Sequence, residues 1–414
     1  MSAPLSFTID RCRVCEGPSI PVVFDLGRQP LANSLRADRS EKLPVFPLTL
    51  CRCDGCGTIQ LTETVSPEVL FKHYVWVTGT SEGARRYSQL FCDRLVERSR
   101  PGPLFALEVA SNDGTFLRRF AARGDRVLGV DPAQNIAAIA EQAGVPTVAD
   151  FFGLDVARRV VAGHGEADVV FARNVIPHVA NANDVVAGMA HALRADGTGA
   201  IEFHRADIIL DELHYDSIYH EHLFYHSLHS IGRLLGRFGL VPFDVTTSPI
   251  SGGSLVVYFS KARRPESAEY TAALKHESDL GVGRAEPWLE FGRRSAAHRD
   301  ALTRLVDSQR AAGKRVIGYG ASARSSTLLN FCGIGRSHLE SIADRAPLKH
   351  GLYTPGTDIP ILPPEQAFAT KPDTVLLLAW NFRDEILAQF RDEYRWHGTV
   401  IVPLPGDPAV VSIR

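Results

Sequence analysis

The chain has 414 residues, with 45 Lys and Arg against 47 Asp and Glu and a formal charge of −2. This balance excludes a basic field for generic nucleic-acid binding, so any anionic partner must be met locally. The length exceeds one compact core and points to two or three domains. No run approaches the roughly 20 apolar residues of a bilayer span, and Met-Ser-Ala-Pro-Leu-Ser-Phe-Thr lacks a charged start followed by an apolar stretch; a soluble cytoplasmic protein without a membrane partner is expected.

Residues 1–70 are read as a zinc-binding module. Five of the seven cysteines fall in the first 56 residues, a local ligand set and not a whole-chain disulfide framework. Cys12-Arg-Val-Cys15 and Cys53-Asp-Gly-Cys56 are two C-x-x-C pairs, and four thiolates complete the tetrahedral shell of structural zinc. Gly55 and Gly57 suit the tight turns of such knuckles. The intervening segment is longer than in common zinc ribbons, and Cys51 is a competing ligand. A redox C-x-x-C would follow a strand and open a helix, a context that Arg28-Gln-Pro-Leu-Ala-Asn33 does not suggest. With four protein ligands the metal folds the module and takes no part in chemistry.

Residues 71–260 are read as a cofactor-binding domain. A buried strand, Leu104 to Ala110, carries Glu108 and runs through Ser111-Asn-Asp-Gly114 into a helical stretch from Thr115 to Arg123. Such a strand-turn-helix brings backbone close to a cofactor. A second strand, Arg126 to Val130, ends at Asp131, whose carboxylate suits ribose hydroxyls. A helix near Ile136 to Ala143 follows, then a strand from Thr147 to Ala149 with Asp150-Phe151, and a strand from Asp168 to Ala172 with Arg173-Asn174. A dinucleotide site would prefer G-x-G-x-x-G at the first turn, where this chain has Ala110-Ser-Asn-Asp-Gly114. The pattern resembles a class I methyltransferase, in which the first-strand acid and the short turn cradle the amino acid end of S-adenosylmethionine. Asp150 and Phe151 then suit an adenine pocket.

Six of the fifteen histidines lie between His204 and His229, around Asp216-Ser-Ile-Tyr-His-Glu-His-Leu-Phe-Tyr-His226. Imidazole exchanges protons near neutral pH, so a cluster with Tyr219, Glu221 and Tyr225 suggests acid-base chemistry or metal binding. A lone histidine is more often a hydrogen-bonded structural residue. A rival enzyme reading sets His222, His226 and His229, at i, i+4 and i+7, along one helical face as ligands of a catalytic metal. A non-enzyme rival is a zinc-stapled binding scaffold that has lost activity.

Residues 261–414 are read as a second Rossmann-like domain. Gly252 to Phe259 is a strand, and Lys261-Ala-Arg-Arg-Pro-Glu266 a linker. A long helix runs from about Glu286 to Gly313. Then Arg315-Val-Ile-Gly-Tyr-Gly-Ala-Ser-Ala-Arg324 gives a strand, a glycine-containing turn and a helix reaching Asn330. That turn suits a phosphate held by backbone amides with Arg324 nearby. Further strands are expected at Leu339 to Ala343, Thr374 to Ala379 and Thr399 to Val402. The fold class is therefore α/β, with a zinc module before two Rossmann-like domains.

These residues resemble the three-domain, zinc-containing, S-adenosylmethionine-dependent sugar C-methyltransferases of antibiotic and polysaccharide pathways. The resemblance runs through the four cysteines, Leu31-Ala-Asn-Ser34, Glu108 to Gly114, and Tyr219-His-Glu-His222. It continues in Gly318-Tyr-Gly-Ala321, Thr327-Leu-Leu-Asn330, Tyr353-Thr-Pro-Gly356 and Ala379-Trp-Asn-Phe382. It implies C-methylation of a nucleotide-linked 4-keto-deoxysugar, with thymidine diphosphate as the nucleotide, at the carbon alpha to the ketone. It also implies catalytic roles for Tyr219 and His222, with His178 of Asn174-Val-Ile-Pro-His178 as a further family histidine. Expected cofactor contacts are Glu108, Ala110, Asn112, Gly114, Asp131, Asp150, Phe151 and Asn174. Expected substrate contacts are Tyr319, Ser322, Arg324 and Asn330.

C-methylation requires an enolate, because carbon is a poor nucleophile without a neighbouring carbonyl. His222 is the expected base, with Tyr219 donating to the developing oxyanion, Glu221 orienting His222, and His178 in support. The chain departs from the family at Ala110, usually glycine, and at Ser322, Arg324 and Ser325, usually Pro, Lys and Gly. Glu202-Phe-His-Arg205 and His226 are also atypical and point to substrate selection.

Overall fold

The structure is a computed structural model that describes residues 5–66, 70, 77–249 and 253–414. Strands β1 (Ser6–Thr8), β2 (Val22–Pro30), β3 (Val45–Arg52), β4 (Ile59–Leu61) and β5 (Glu63–Val65) form the N-terminal module. β1 pairs with β5, while β2, β3 and β4 make an antiparallel sheet that turns Leu48, Leu50, Ile59 and Leu61 inward.

The central sheet is built from β6 (Phe105–Val109), β7 (Arg126–Val130), β8 (Thr147–Val148), β9 (Ala167–Arg173) and β10 (Leu193–His204). After a short strand β11 (Phe224–Tyr225), β12 (Val241–Ser248) and β13 (Ser254–Ser260) complete it. The spatial order is β12-β13-β10-β9-β6-β7-β8, parallel from β10 to β8 and antiparallel at the β12-β13 edge. β6, β9 and the inner part of β10 are buried on both faces because helices cover both. Helix Glu82–Glu97 is capped by Ser81, whose side chain accepts from the Ala84 amide. It buries Ala84, Tyr87, Phe91 and Leu95, at helical spacing, against Phe116 and Phe171. The strand order reverses between β6 and β9, and in such sheets ligands bind at that switch, beyond the carboxyl ends of the strands.

The linker at 261–266 leads not to the second sheet but to helix Ala268–Leu280. That helix packs back on β12, and its Glu277 accepts from the Leu228 amide. Helix Ala285–Ala311 buries Trp288, Phe291, Ser295, His298, Leu302 and Val306 at intervals of three to four residues. Its Phe291 meets Phe24 of the zinc module edge-on, with ring centroids 5.4 Å apart. The C-terminal sheet comprises β14 (Val316–Tyr319), β15 (Ile342–Ala343), β16 (Ile361–Leu362), β17 (Thr374–Leu377), β18 (Gly398–Val402) and β19 (Ala409–Ile413). Its order is β16-β15-β14-β17-β18-β19, parallel except for β19. Among the described residues no helix is long and apolar enough to cross a membrane.

Candidate functional site

The thiols of Cys12, Cys15, Cys53 and Cys56 lie within 4.8 Å of one another. Cys12 Sγ is 3.6 Å from Cys56 Sγ, and Cys15 Sγ is 3.4 Å from Cys53 Sγ. Four sulfurs bound tetrahedrally at about 2.3 Å stand about 3.8 Å apart, so the residues fit zinc with no open position. Cys51 is not a ligand. It is buried inside β3, and burial pushes its thiol up to about 12. Among the described residues these four cysteines are the one group able to hold a metal.

At the carboxyl end of β6 the chain turns through Ala110 and Asn112, both at φ 50°, and Gly114 at φ 72°. A side chain at Gly114 would strike Val145. Ala110 thus holds a left-handed backbone that a glycine would adopt without strain. Asp131 fixes that turn: one oxygen accepts from the Asn112 amide (2.8 Å) and the other from the Ala133 amide (2.9 Å). A carboxylate has about four acceptor sites, so two remain for ribose hydroxyls. Asp150 follows β8 and is paired with Arg159, while Phe151 beside it is 68% exposed, unusual for an aromatic ring. Asn174, at φ 51°, directly follows β9.

Glu108 is fully buried beneath this turn, with Oε1 3.2 Å from Arg173 Nε and Oε2 without a hydrogen-bond partner. Burial, opposed by Arg173, pushes its carboxyl up to about 8. Arg173 also faces Glu202, at 3.6 Å, and Glu202 accepts from Ser248. Two acids on one arginine leave the Glu108 Oε2 atom in excess beneath the turn, which fits the ammonium group at the amino acid end of S-adenosylmethionine. Above it, the Thr78 amide donates to Asn112 Oδ1 (2.8 Å) and the Gly79 amide to Asp113 Oδ2 (3.0 Å). Sequence reasoning missed this cover. The juxtaposition Thr78-Gly79-Thr80 was its only signal, and no motif there reads alone.

The next group lies between β9 and β11. Tyr219 and His222 sit on a loop, not a helix, and Tyr219 Oη is 2.8 Å from His222 Nε2. His222 Nδ1 faces the Ser217 carbonyl at 3.2 Å. A carbonyl only accepts, so Nδ1 carries the hydrogen and Nε2 the lone pair, to which the Tyr219 hydroxyl donates. His178 repeats the device: Nδ1 donates to the Glu221 carbonyl at 2.8 Å, and its ring meets that of His222 edge-on, centroids 4.8 Å apart. Burial lowers His178 to about 4 and holds His222 well below the usual imidazole range, so both rings are neutral at pH 7.

Three expectations need correction here. The Glu221 carboxylate does not reach His222; it accepts from Asn33 Nδ2 at 2.6 Å, while the Ser217 carbonyl orients His222. The Tyr219 hydroxyl, expected to face the ketone oxygen, donates to His222 Nε2 in this structure. The metal reading of His222, His226 and His229 also fails. His226 is buried with its ring stacked on Phe224 and Nδ1 against Ser230 Oγ (3.0 Å), and His229 pairs with Glu277.

The C-terminal turn is self-contained. Tyr319 is buried among Phe368, Phe390 and Tyr394, with its hydroxyl donating to Gln389. Asn330 donates to the Ser326 and Pro355 carbonyls. Both are expected at the substrate; in this structure the Tyr319 hydroxyl and the Asn330 amide nitrogen bond within the C-terminal domain. Ser322 is exposed but forms a capping box with Ser325. The Ala321 amide donates to Asp344 and the Ser322 amide to Ser325 Oγ, so two amides expected for phosphate are engaged. Arg324 clasps the central domain, with two bonds to Asp216 of 3.1 and 2.9 Å, over the face of Trp380.

Family models match along the chain: "Putative zinc binding domain" over residues 12–71, "Methyltransferase domain" over 83–244, and "C-methyltransferase C-terminal domain" over 249–405. The C-methyltransferase NovU of Streptomyces niveus is 35% identical over 413 residues, covering 98% of this chain and 97% of that protein. Solved structures align at greater distance. Magnesium protoporphyrin IX methyltransferase of Synechocystis covers 44% of this chain and 80% of its own, at 15% identity and a TM-score of 0.34. The PH0226 protein of Pyrococcus horikoshii covers 46% and 98%, at 15% identity and a TM-score of 0.36. Those two are too remote to bear on function. The near-complete overlap with NovU, domain by domain, assigns the chain to the three-domain, zinc-containing, S-adenosylmethionine-dependent C-methyltransferases.

Proposed function

We propose that the enzyme methylates the carbon alpha to the ketone of a nucleotide-linked 4-keto-deoxysugar, with thymidine diphosphate as the nucleotide, in cytoplasmic deoxysugar biosynthesis. The carrying observation is the Tyr219–His222 dyad, in which a neutral imidazole lone pair takes a phenolic hydrogen bond of 2.8 Å. Carbon methylation needs a proton acceptor beside the methyl donor, and oxygen or nitrogen acceptors need one far less. S-adenosylmethionine supplies a methyl group activated by its sulfonium. Glu108, Ala110, Asn112 and Gly114 would hold its amino acid end, Asp131 its ribose, Asp150 and Phe151 its adenine, with Asn174 closing the crevice.

In this reading the alpha proton passes to the Tyr219 oxygen as the tyrosine's own proton passes to His222 Nε2. The Ser217 carbonyl, bonded to Nδ1–H, steadies the imidazolium that forms. Burial makes an isolated imidazolium costly, so it forms as one half of a pair with the enolate. His178 lies at the edge of the His222 ring and, with its hydrogen on Nδ1, offers Nε2 as an acceptor, which suits a sugar hydroxyl and not the oxyanion. Of the expected substrate contacts, Ser322 and Arg324 lie at the border of the C-terminal domain. We place the domain divisions near residues 70 and 260, with helix Ala268–Leu280 still resting on the central sheet.

The test is mass spectrometry of candidate nucleotide-linked 4-ketosugars incubated with enzyme and S-adenosylmethionine. A product heavier by one methylene, with the label on carbon, is expected. No methylation of any ketosugar, together with methylation of an unrelated acceptor, would overturn the substrate assignment.

A further inference from the structure

The reaction loop is held from outside the methyltransferase fold. Phe224 and Tyr225 of β11 pair antiparallel with Gln60 and Ile59 of β4, extending the zinc module's sheet into the loop that carries Tyr219 to His222. The Leu61 amide donates to the Leu223 carbonyl at 3.0 Å. From the same module, Asn33 Nδ2 donates to Glu221 Oε1 at 2.6 Å, and the Glu221 carbonyl is the acceptor that fixes the His178 ring. The segment bearing Asn33 is anchored on both sides. Leu31 and Ala32 are buried, and Arg36 exchanges backbone hydrogen bonds with Tyr353 (3.1 and 2.8 Å) while pairing with Asp358.

We propose that Asn33 is a positioning residue: by holding the Glu221 carboxylate it fixes the peptide that orients His178, so the zinc module sets part of the geometry of the reaction centre. The inference rests on the dyad mechanism proposed above. Docking of the module does not need this bond. Asn183 ties the central domain to the Arg13 and Val14 carbonyls (2.8 and 3.2 Å), and Arg52 bonds the Gly283 carbonyl (2.6 Å), both through residues that touch no member of the dyad. Burial raises the Glu221 carboxyl, and the Asn33 bond opposes that rise, so the amide also favours the ionised form.

The experiment compares Asn33→Ala, Asn33→Asp and, as a docking control, Asn183→Ala in the full-length zinc protein. Asn33→Ala is expected to lower kcat about ten- to a hundredfold, the scale of a small misplacement of a reacting group, with KM, zinc content and S-adenosylhomocysteine affinity little changed. The acid limb of the kcat profile should move to higher pH, and further for Asn33→Asp, which faces a carboxylate with a carboxylate. Asn183→Ala should leave kcat and the profile unchanged. In a Glu221→Ala background, Asn33→Ala should add nothing. Nitrogen NMR of the ligand-free protein should show the His178 Nδ1 resonance shifted in Asn33→Ala, a readout independent of any sugar. If the wild type methylates no ketosugar, the substrate reading fails while the His178 resonance still decides on Asn33. An unshifted His178 resonance, or an equal loss of kcat with Glu221 present or absent, overturns the proposal.

Discussion

The Tyr219 hydroxyl donates to Nε2 of His222 across 2.8 Å, and the opposite ring nitrogen is held by the Ser217 carbonyl. This order of donors makes the pair one proton-transfer unit. With S-adenosylhomocysteine bound in place of the methyl donor, the wild type should still exchange the substrate's alpha proton for deuterium. His222→Ala should abolish exchange and methylation together, and Tyr219→Phe, which removes the oxygen that takes the alpha proton, should cost about as much, with ligand affinities nearly unchanged. Because burial holds His222 well below the usual imidazole range, its protonation should not limit kcat down to pH 6. Full exchange by His222→Ala would remove the dyad from the chemistry.

The metal prediction separates neighbouring cysteines. Cys12→Ser removes one of four converging thiolates, so the protein should lose its single zinc and much of its solubility. Cys51→Ser lies off the cluster and should keep one zinc per chain, at a stability cost of about 1–3 kcal/mol for a buried hydroxyl in a thiol's place. Metal analysis and thermal melting of both variants check this. Zinc loss from Cys51→Ser but not from Cys12→Ser would reverse the ligand assignment.

How much of this was legible in the sequence depends on how local each signal is. The two C-x-x-C pairs could be read because each spacing brings two thiols together locally, while the fold brings the pairs to one another, and β7 ends before Asp131 because an apolar run stops at a carboxylate. The Tyr219-His-Glu-His222 segment read as reactive, but its roles did not, because they depend on Ser217, Asn33 and the Glu221 carbonyl. Asn33 lies 188 positions from Glu221, and no periodicity links them. Tyr319 and Asn330 are ambiguous in the sequence for the opposite reason. A strand-turn-helix looks alike whether its polar side chains meet a ligand or their own domain, and here Gln389 and the Pro355 carbonyl meet them.

Ala110 offers a test of the turn itself. A left-handed residue with a Cβ costs about 1–2 kcal/mol, part of which glycine returns through greater freedom in the unfolded chain. Ala110→Gly should therefore stabilise the protein by no more than about 1 kcal/mol and leave S-adenosylhomocysteine affinity intact. Ala110→Val, branched at Cβ, should distort the turn and weaken that affinity at least about tenfold. Calorimetric titration with melting curves distinguishes the two, and a Val variant that binds normally would show that the ligand does not rest on this turn.

Removing Asp131 should weaken binding by about 1.5–3 kcal/mol, roughly ten- to a hundredfold, but Glu108 gives the sharper signature because its protonation is coupled to the ligand's charge. Burial raises the Glu108 carboxyl to about 8, so at pH 7 the ligand-free enzyme holds it mostly protonated. A cationic amino group beside the unpartnered Oε2 favours the carboxylate and lowers that value, so binding must release a proton. The sign follows from linkage: affinity should rise with pH toward about 8, as the carboxyl ionises, and fall again once the ligand's own ammonium loses its proton. Titrations of S-adenosylhomocysteine at pH 7 in buffers of different ionisation heat should report close to one proton released, falling toward zero above pH 9. Glu108→Gln should bind more weakly and release none at either pH. If the wild type releases no proton at pH 7, or if Glu108→Gln releases as many as the wild type, the ammonium group does not sit at Glu108 and the crevice floor serves Arg173 alone.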